Sequence, residues 1–348
     1  MNKISNYEIM GYLSDAADWK EEDIDAGKLT CINYAFGLIE NGKLKGEHLK
    51  KLNILNKIKK ANTHLKTVLS IGGWGADGFS DAVLNEERRE KFVASTMDFV
   101  IENDFDGIDI DWEYPCDDQA EIVARDCDKQ NYTLYLKLLR EKLDEQGKKD
   151  GKKYILSAAL GAGQKYVDNI EIKQVQKYLD FINLMTYDMR GSFTNITGHH
   201  ANTYPMEKHP DDRSAAGCID ILINAGVPKE KIIIGAAFYG RMWEGVKSSE
   251  GTGLSTEAEA SGCVMRDFTT LYDEYIDKNG YKRYWDDIAK ASYLFNGSNF
   301  VSYEDEISMI YKSEYVKQKG IGGIMFWEYP LDKTGKLLNS IYGVLGDY

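Results

Sequence analysis

Proline and cysteine are both scarce in this chain, each occurring five times in 348 residues. No Pro-rich linker, low-complexity tract or internal repeat divides the sequence, so its parts are expected to be compact and closely joined. The cysteines, Cys31, Cys116, Cys127, Cys218 and Cys263, are odd in number and lack zinc-type spacing, which argues against a disulfide framework. One bridge, Cys116 with Cys127, is the pairing worth testing. No run of about 18 apolar residues spans a membrane, and the first residues carry no apolar stretch of signal-peptide length. The expectation is a secreted protein whose leader lies outside this sequence, with a cytoplasmic protein as the alternative. Blocks of Lys and Arg are also missing. Basic residues number 43 against 56 acidic ones, for a net charge of −13. Nucleic acid and acidic membranes are therefore poor partners, and a neutral ligand suits the chain better. The chain is expected to be a monomer.

What is abundant is aromatic surface, with 23 Tyr, 12 Phe and 6 Trp. Most of these rings should pack the core, and the remainder offer flat faces to a ligand. The length suits one α/β barrel of about 250 residues with elaborated loops. A chain of this size buries roughly three quarters of its unfolded surface and needs neither disulfide nor metal staples.

Short apolar runs alternate with longer amphipathic stretches from end to end, the pattern of β-α units around a parallel sheet. Eight runs stand out, at 7–12, 30–38, 67–71, 107–113, 154–160, 181–187, 232–238 and 321–327. Between them, 86–103 and 132–145 carry apolar residues near a 3.6 period and read as helices. This predicts an α/β fold, a (β/α)8 TIM barrel. About 80 residues separate the last two runs, far more than a crossover helix requires. A small α+β insertion is therefore expected between strand 7 and the last helix-strand unit. The predicted barrel domain is 1–241 with 303–348, the insertion is 242–302, and a helix over 303–319 leads into the last strand.

The segment Asp106-Gly-Ile-Asp-Ile-Asp-Trp-Glu113 carries the chemistry. Side chains alternate across a strand, so Asp109, Asp111 and Glu113 share one face, and Ile108, Ile110 and Trp112 the other. The apolar face meets helices, and the acidic face points into the barrel with successive carboxylates about 7 Å apart. Like charges that close oppose joint ionisation, so at least one proton is retained, which suits acid catalysis. Glu113 lies at the C-terminal end of the strand, where barrel enzymes keep their active sites, and is the best-placed general acid. Two other readings remain at this point. The acids could sit on an exposed strand, or they could ligate Mg²⁺ or Mn²⁺, although His48, His64, His199, His200 and His209 show no ligand spacing.

The same strand resembles the Asp-x-x-Asp-x-Asp-x-Glu signature of family 18 glycoside hydrolases, the chitinases and their relatives, and matches it at all four positions. Ser70-Ile-Gly-Gly-Trp74, Met185-Thr-Tyr-Asp188, Phe238-Tyr-Gly-Arg241 and Gly322-Gly-Ile-Met-Phe-Trp327 resemble further strand-end motifs of the family, in its order. Each is weak alone, and together they are strong. Ala237 departs from the Pro that relatives often carry there, which bears only on local strand shape.

The resemblance implies hydrolysis of β-1,4-linked N-acetylglucosamine with retention, assisted by the substrate's own acetamido group, and with no cofactor or metal. It implies that Glu113 is the acid and base, that Asp111 holds the acetamido N–H, that Asp109 shares a proton with Asp111, and that Tyr187 donates to the acetamido oxygen. Trp327 is expected as the floor under the sugar, with Asp188, Arg241, Trp74, Tyr239 and Gly73 as substrate-binding residues. Ser70, Asp106 and Met185 are expected to be structural neighbours of the site. Trp243 and Trp285 are candidate platforms farther along a cleft. The stretch Trp285-Asp-Asp-Ile-Ala-Lys-Ala-Ser-Tyr-Leu294 resembles the insertion domain of one chitinase branch, which implies a deep groove for chitin or chitooligosaccharides. The rival readings are a chitooligosaccharide-binding protein without catalysis, or a relative acting on peptidoglycan or N-glycans.

Overall fold

The computed structural model describes residues 4–247 and 251–347. The expected domain limits at 1 and 348, and part of the expected insertion, fall outside them. Strands β1 (Glu8–Ser14), β2 (Cys31–Glu40), β3 (Lys43–Lys45), β4 (Lys66–Gly72), β5 (Gly107–Asp111), β6 (Ile155–Gly161), β7 (Phe181–Met185) and β8 (Ile232–Ala237) come first along the chain. Then follow β9 (Tyr239–Trp243), β10 (Val264–Asp267), β11 (Lys282–Asp286), β12 (Ala291–Phe295), β13 (Phe300–Tyr303) and finally β14 (Gly323–Trp327). Eight strands pair in parallel in the order β1-β14-β8-β7-β6-β5-β4-β2, and β1 also pairs with β2, which closes a (β/α)8 barrel. Strand β3 is a short antiparallel extension of β2.

Alternation along each strand separates two apolar layers. Ile9, Leu69, Ile108, Ile110, Ile182, Ile234 and Ile324 face outward into one continuous core with residues of the surrounding helices, such as Phe92, Val93, Leu136 and Leu139. The inward set is smaller and includes Met10, Tyr12, Cys31, Val68, Ala159, Ile233 and Met325. The helices span Glu86–Glu102 and Asp128–Asp150, the second longer at both ends than its apolar period suggested.

The remaining strands form a separate antiparallel sheet, ordered β10-β9-β13-β12-β11. It runs from Tyr239 to Tyr303 and so reaches beyond 242–302 on both sides. The helix expected from residue 303 begins at Glu306, because Tyr303 pairs with Ser292 in the sheet. Asp305 then caps the helix by accepting from the backbone N–H groups of Ile307 and Ser308. All five cysteines are free. Cys116 and Cys127, the pair singled out for testing, are not bridged, and the Cys116 thiol instead contacts the carbonyls of Asp126 and Asn169.

A buried ion pair lies just after the antiparallel sheet, where the chain returns to the barrel. Lys312, on the helix Glu306–Lys319, is fully buried and lies 2.6 Å from Glu304, which is 3 % exposed. The ammonium also donates to the carbonyls of Ala201 and Gly235, and Glu304 accepts from the Ala237 N–H. Burial works against the charge on both partners, raising the pKa of Glu304 and lowering that of Lys312. Removing one partner leaves the other buried and alone. Lys312→Met is therefore expected to cost about 3–5 kcal/mol in urea unfolding, and a loss under about 1 kcal/mol would contradict this reading.

Candidate active site

Register sets the site. Parallel pairing places Ser70 of β4 and Ser157 of β6 opposite Asp109 of β5. Asp109 is fully buried and accepts four hydrogen bonds. Tyr12 Oη and Ser70 Oγ donate to Oδ2 at 2.8 and 2.7 Å, and Ser157 Oγ and Asn183 Nδ2 to Oδ1 at 2.7 and 3.1 Å. Burial raises the Asp109 pKa, and the four donors oppose that rise. No hydrogen bond joins Asp109 to Asp111, so the expected shared proton is not a direct contact here; Oδ1 of Asp111 is buried without any protein partner.

Asp111 is pushed well above the ordinary carboxylate range, first by burial and then by the charges of Glu113 and Asp109. Glu113 lies two residues past the end of β5 and faces the main cavity. Its pKa is raised to about 7 by burial, against a hydrogen bond from Tyr114 and with help from the Asp188 charge. The outward face behaves as alternation requires: Ile108 and Ile110 are fully buried, and Trp112 stacks on Phe79 at 5.1 Å.

Glycines let the neighbouring backbone close around these acids. A Cβ on Gly72 (φ +117°) would lie 2.0 Å from the Asp111 carbonyl, and one on Gly235 would lie 2.9 Å from the Tyr187 ring. Gly73, expected to bind substrate, donates its N–H to the Asp111 carbonyl and packs beneath Phe36, outside the main cavity.

Tyr187 follows β7, packs edge-on to Tyr239 at 6.3 Å and approaches Met325 Sδ at 3.9 Å. Asp188 receives two hydrogen bonds from the Arg241 guanidinium, each 2.7 Å, and His200 Nδ1 is 3.6 Å away. Burial acts to raise its pKa, but His200 and Arg241 hold it below the usual carboxylate range. Trp327 ends β14 with its ring stacked on Phe36 at 5.4 Å and tilted against Tyr12 at 5.7 Å. Trp74 is 64 % exposed and stands edge-on to Tyr114, which packs on Tyr166 at 4.4 Å.

One cavity of about 1150 Å³ collects Asp111, Glu113, Tyr187, Asp188, Met185, Trp74, Tyr239, Arg241 and Trp327. Asp109 and Ser70 lie beneath its floor. Asp106 is at the opposite end of the strand, where it accepts from the Thr67 N–H and pairs with Lys59 at 3.1 Å, remote from the cavity. Trp243 is fully buried in the insertion, and Trp285 stacks on Tyr311; neither lines the cavity. Among the described residues, no three His, Cys, Asp or Glu side chains converge to hold a metal ion. Tyr12, Ser157 and Asn183 escaped the sequence reading. Their signal was a polar side chain inside an otherwise apolar strand run. Phe36, Tyr114, Tyr166 and Phe193 were also missed, and among so many aromatics nothing in the sequence singled them out.

Residues 8–332 match the family model described as Glycosyl hydrolases family 18. The chain is 42 % identical over 311 residues to chitinase A1 of Niallia circulans, covering 83 % of this chain and 44 % of that protein. It is 33 % identical to mouse chitotriosidase-1, covering 92 % of this chain and 71 % of the relative. A solved family 18 N-acetylglucosaminidase from Paenibacillus barengoltzii superposes with a TM-score of 0.93 at 47 % identity, covering 98 % of this chain and 100 % of that one. The chain thus spans less than half of the first of these relatives and all of the last.

Ionising Glu113 in this setting costs stability. Its pKa rises from 4.5 to about 7 on folding, so the cost is absent below pH 4.5, grows as pH rises and is complete above about 7. Glu113→Gln removes it. The variant is expected to match the parent at pH 4 and to exceed it by roughly 3 kcal/mol at most at pH 8, by denaturant unfolding. A variant less stable than the parent at pH 8 would contradict this electrostatic account.

Proposed function

The chain belongs to family 18 of the glycosyl hydrolases, and from that premise we propose that it hydrolyses β-1,4-linked N-acetylglucosamine in chitin and chitooligosaccharides. The observation that carries the proposal is the Asp111–Glu113 pair. One buried carboxyl has an oxygen without a protein partner, and the next carboxyl along the chain face keeps its proton to about pH 7 in the same cavity.

In this reading the sugar at the cleavage point lies on Trp327 with its acetamido group between Asp111 and Tyr187. Glu113 gives its proton to the glycosidic oxygen as the C1–O bond breaks. The acetamido carbonyl oxygen closes on C1 and forms an oxazolinium ion. Asp111 accepts the acetamido N–H and stabilises the positive charge that develops there, and the Tyr187 hydroxyl orients the carbonyl. Glu113, now a carboxylate, takes a proton from water as that water attacks C1 from the side the leaving group vacated, and the bond from C1 to the acetamido oxygen breaks to restore the acetamido group. Two inversions at C1 amount to retention. Asp188, held ionised by Arg241, lines the same cavity, and its negative charge helps to raise the Glu113 pKa.

Glu113→Gln is expected to lower kcat on chitooligosaccharides by about 10²–10⁴ with little change in KM; undiminished turnover would remove the assignment, and binding without hydrolysis by the unmutated protein would favour a lectin-like role. Because the acid must be protonated in the free enzyme, kcat/KM should fall as pH rises through about 7. Asp188→Asn removes a charge that raises the Glu113 pKa, so its alkaline limb should move to lower pH. A limb that stayed in place would show that Asp188 does not act on Glu113.

A further inference from the structure

The walls of the cavity are one-sided. Beyond the strand ends they are built by loops after β5, β6 and β7 and by the insertion, through residues such as Gln119, Tyr166, Phe193, Arg213 and Met265. The sector of β14, β1 and β2 contributes only Trp327, Tyr12 and Phe36, and all three belong to the strands themselves. In the closed strand order, β14 and β1 stand opposite β5 and β6. The part of the cavity lined from loops and the part lined only from strands therefore face each other across the acids.

The acid tells which half receives the leaving group. A general acid must stand beside the oxygen it protonates. Glu113 is followed by Tyr114, whose ring packs on Tyr166, after β6, and against exposed Trp74, after β4. The departing sugar thus lies toward β4–β6. The retained sugar lies over Trp327, and any unit linked to its O4 would have to continue over β14, β1 and β2. There Phe36 is stacked on Trp327, and Glu328, 8 % exposed, is turned inward to accept from the Ser14 N–H at 3.0 Å. No side chain from the loops after β1 or β14 lines the cavity to carry a second retained unit. A neighbouring depression of about 500 Å³ shares Phe36 and Trp74 with the main cavity, but it lies between β2 and β4. Its one charged group, Asp77, is already engaged by the N–H groups of Gly78 and Val123.

The geometry points to exo action: the enzyme removes single N-acetylglucosamine units from the non-reducing end, with one site for the retained sugar and several for the leaving chain. Each turnover breaks one C1–O bond, consumes one water, and yields one monosaccharide and an oligomer shorter by one unit. This inference rests on the hydrolase reading above and goes beyond it.

Chitopentaose labelled at its reducing end separates the two. With the unmutated protein, the first products should be unlabelled monosaccharide and labelled tetramer. Unlabelled dimer with labelled trimer, or inner cleavage, would overturn exo action and leave the hydrolase reading intact. No cleavage of oligomers of any length would overturn both. A second substrate, the same pentamer with O4 and O6 of its non-reducing terminal sugar bridged by a benzylidene group, should remain uncut. Cleavage of its inner bonds at the rate of the open pentamer would overturn the proposal independently.

Discussion

Asp109 is the residue on which the geometry of the site rests. A carboxylate buried in a barrel interior is tolerable only if its oxygens are fully satisfied, and hydrogen bonds to a charged group contribute about 1.5–3 kcal/mol each. Tyr12, Ser70, Ser157 and Asn183 supply them from β1, β4, β6 and β7, so one acid on β5 ties together five of the eight strands. A slip of one residue in β5 would turn Asp109 into the apolar helix layer and take the common acceptor from four polar groups. The register is thereby fixed, and with it the height of Asp111 and Glu113 above the barrel floor.

Three further acids close to this anchor meet three different surroundings and take three different states. Asp111 leaves one oxygen without a protein partner, and burial and its acidic neighbours push its pKa well above the ordinary carboxylate range. Glu113, at the cavity floor, is poised near neutrality. Asp188 is ionised by its fork of hydrogen bonds from Arg241. Pushing neighbouring carboxyls apart in pKa is how one site supplies both a proton and a fixed charge.

Most of this was legible in the sequence for a physical reason. Alternation is obligatory in a strand, so the inward direction of Asp109 and Asp111 and the outward direction of Trp112 followed from spacing alone. The eight apolar runs likewise reported a barrel because both faces of its strands are covered. What spacing could not carry was contact between strands. Tyr12, Ser157 and Asn183 meet Asp109 through register, which depends on the whole closed sheet. Trp243 and Trp285 were placed on the cleft by residue type, but the first fills the insertion's core and the second stacks on Tyr311. Gly73 was grouped with the site through its motif and serves the backbone instead, and Asp106, expected to be structural, serves the far end of the barrel. That only strand residues line the cavity on the side of β14, β1 and β2 was invisible for the same reason: it depends on the closed ring, not on any motif.

Substrate-assisted cleavage in this site turns on the unpartnered oxygen of Asp111 and the substrate N–H that it would accept. The most direct test compares hydrolysis of chitotriose with that of the same trisaccharide carrying a free amine in place of the acetamido group on the non-reducing sugar. If the substrate's acetamido oxygen is the nucleophile and Asp111 its partner, release of that sugar is abolished while the N-acetylated trimer is cleaved. Release of the amino sugar at a comparable rate would contradict the account and require a nucleophile from the protein or from water.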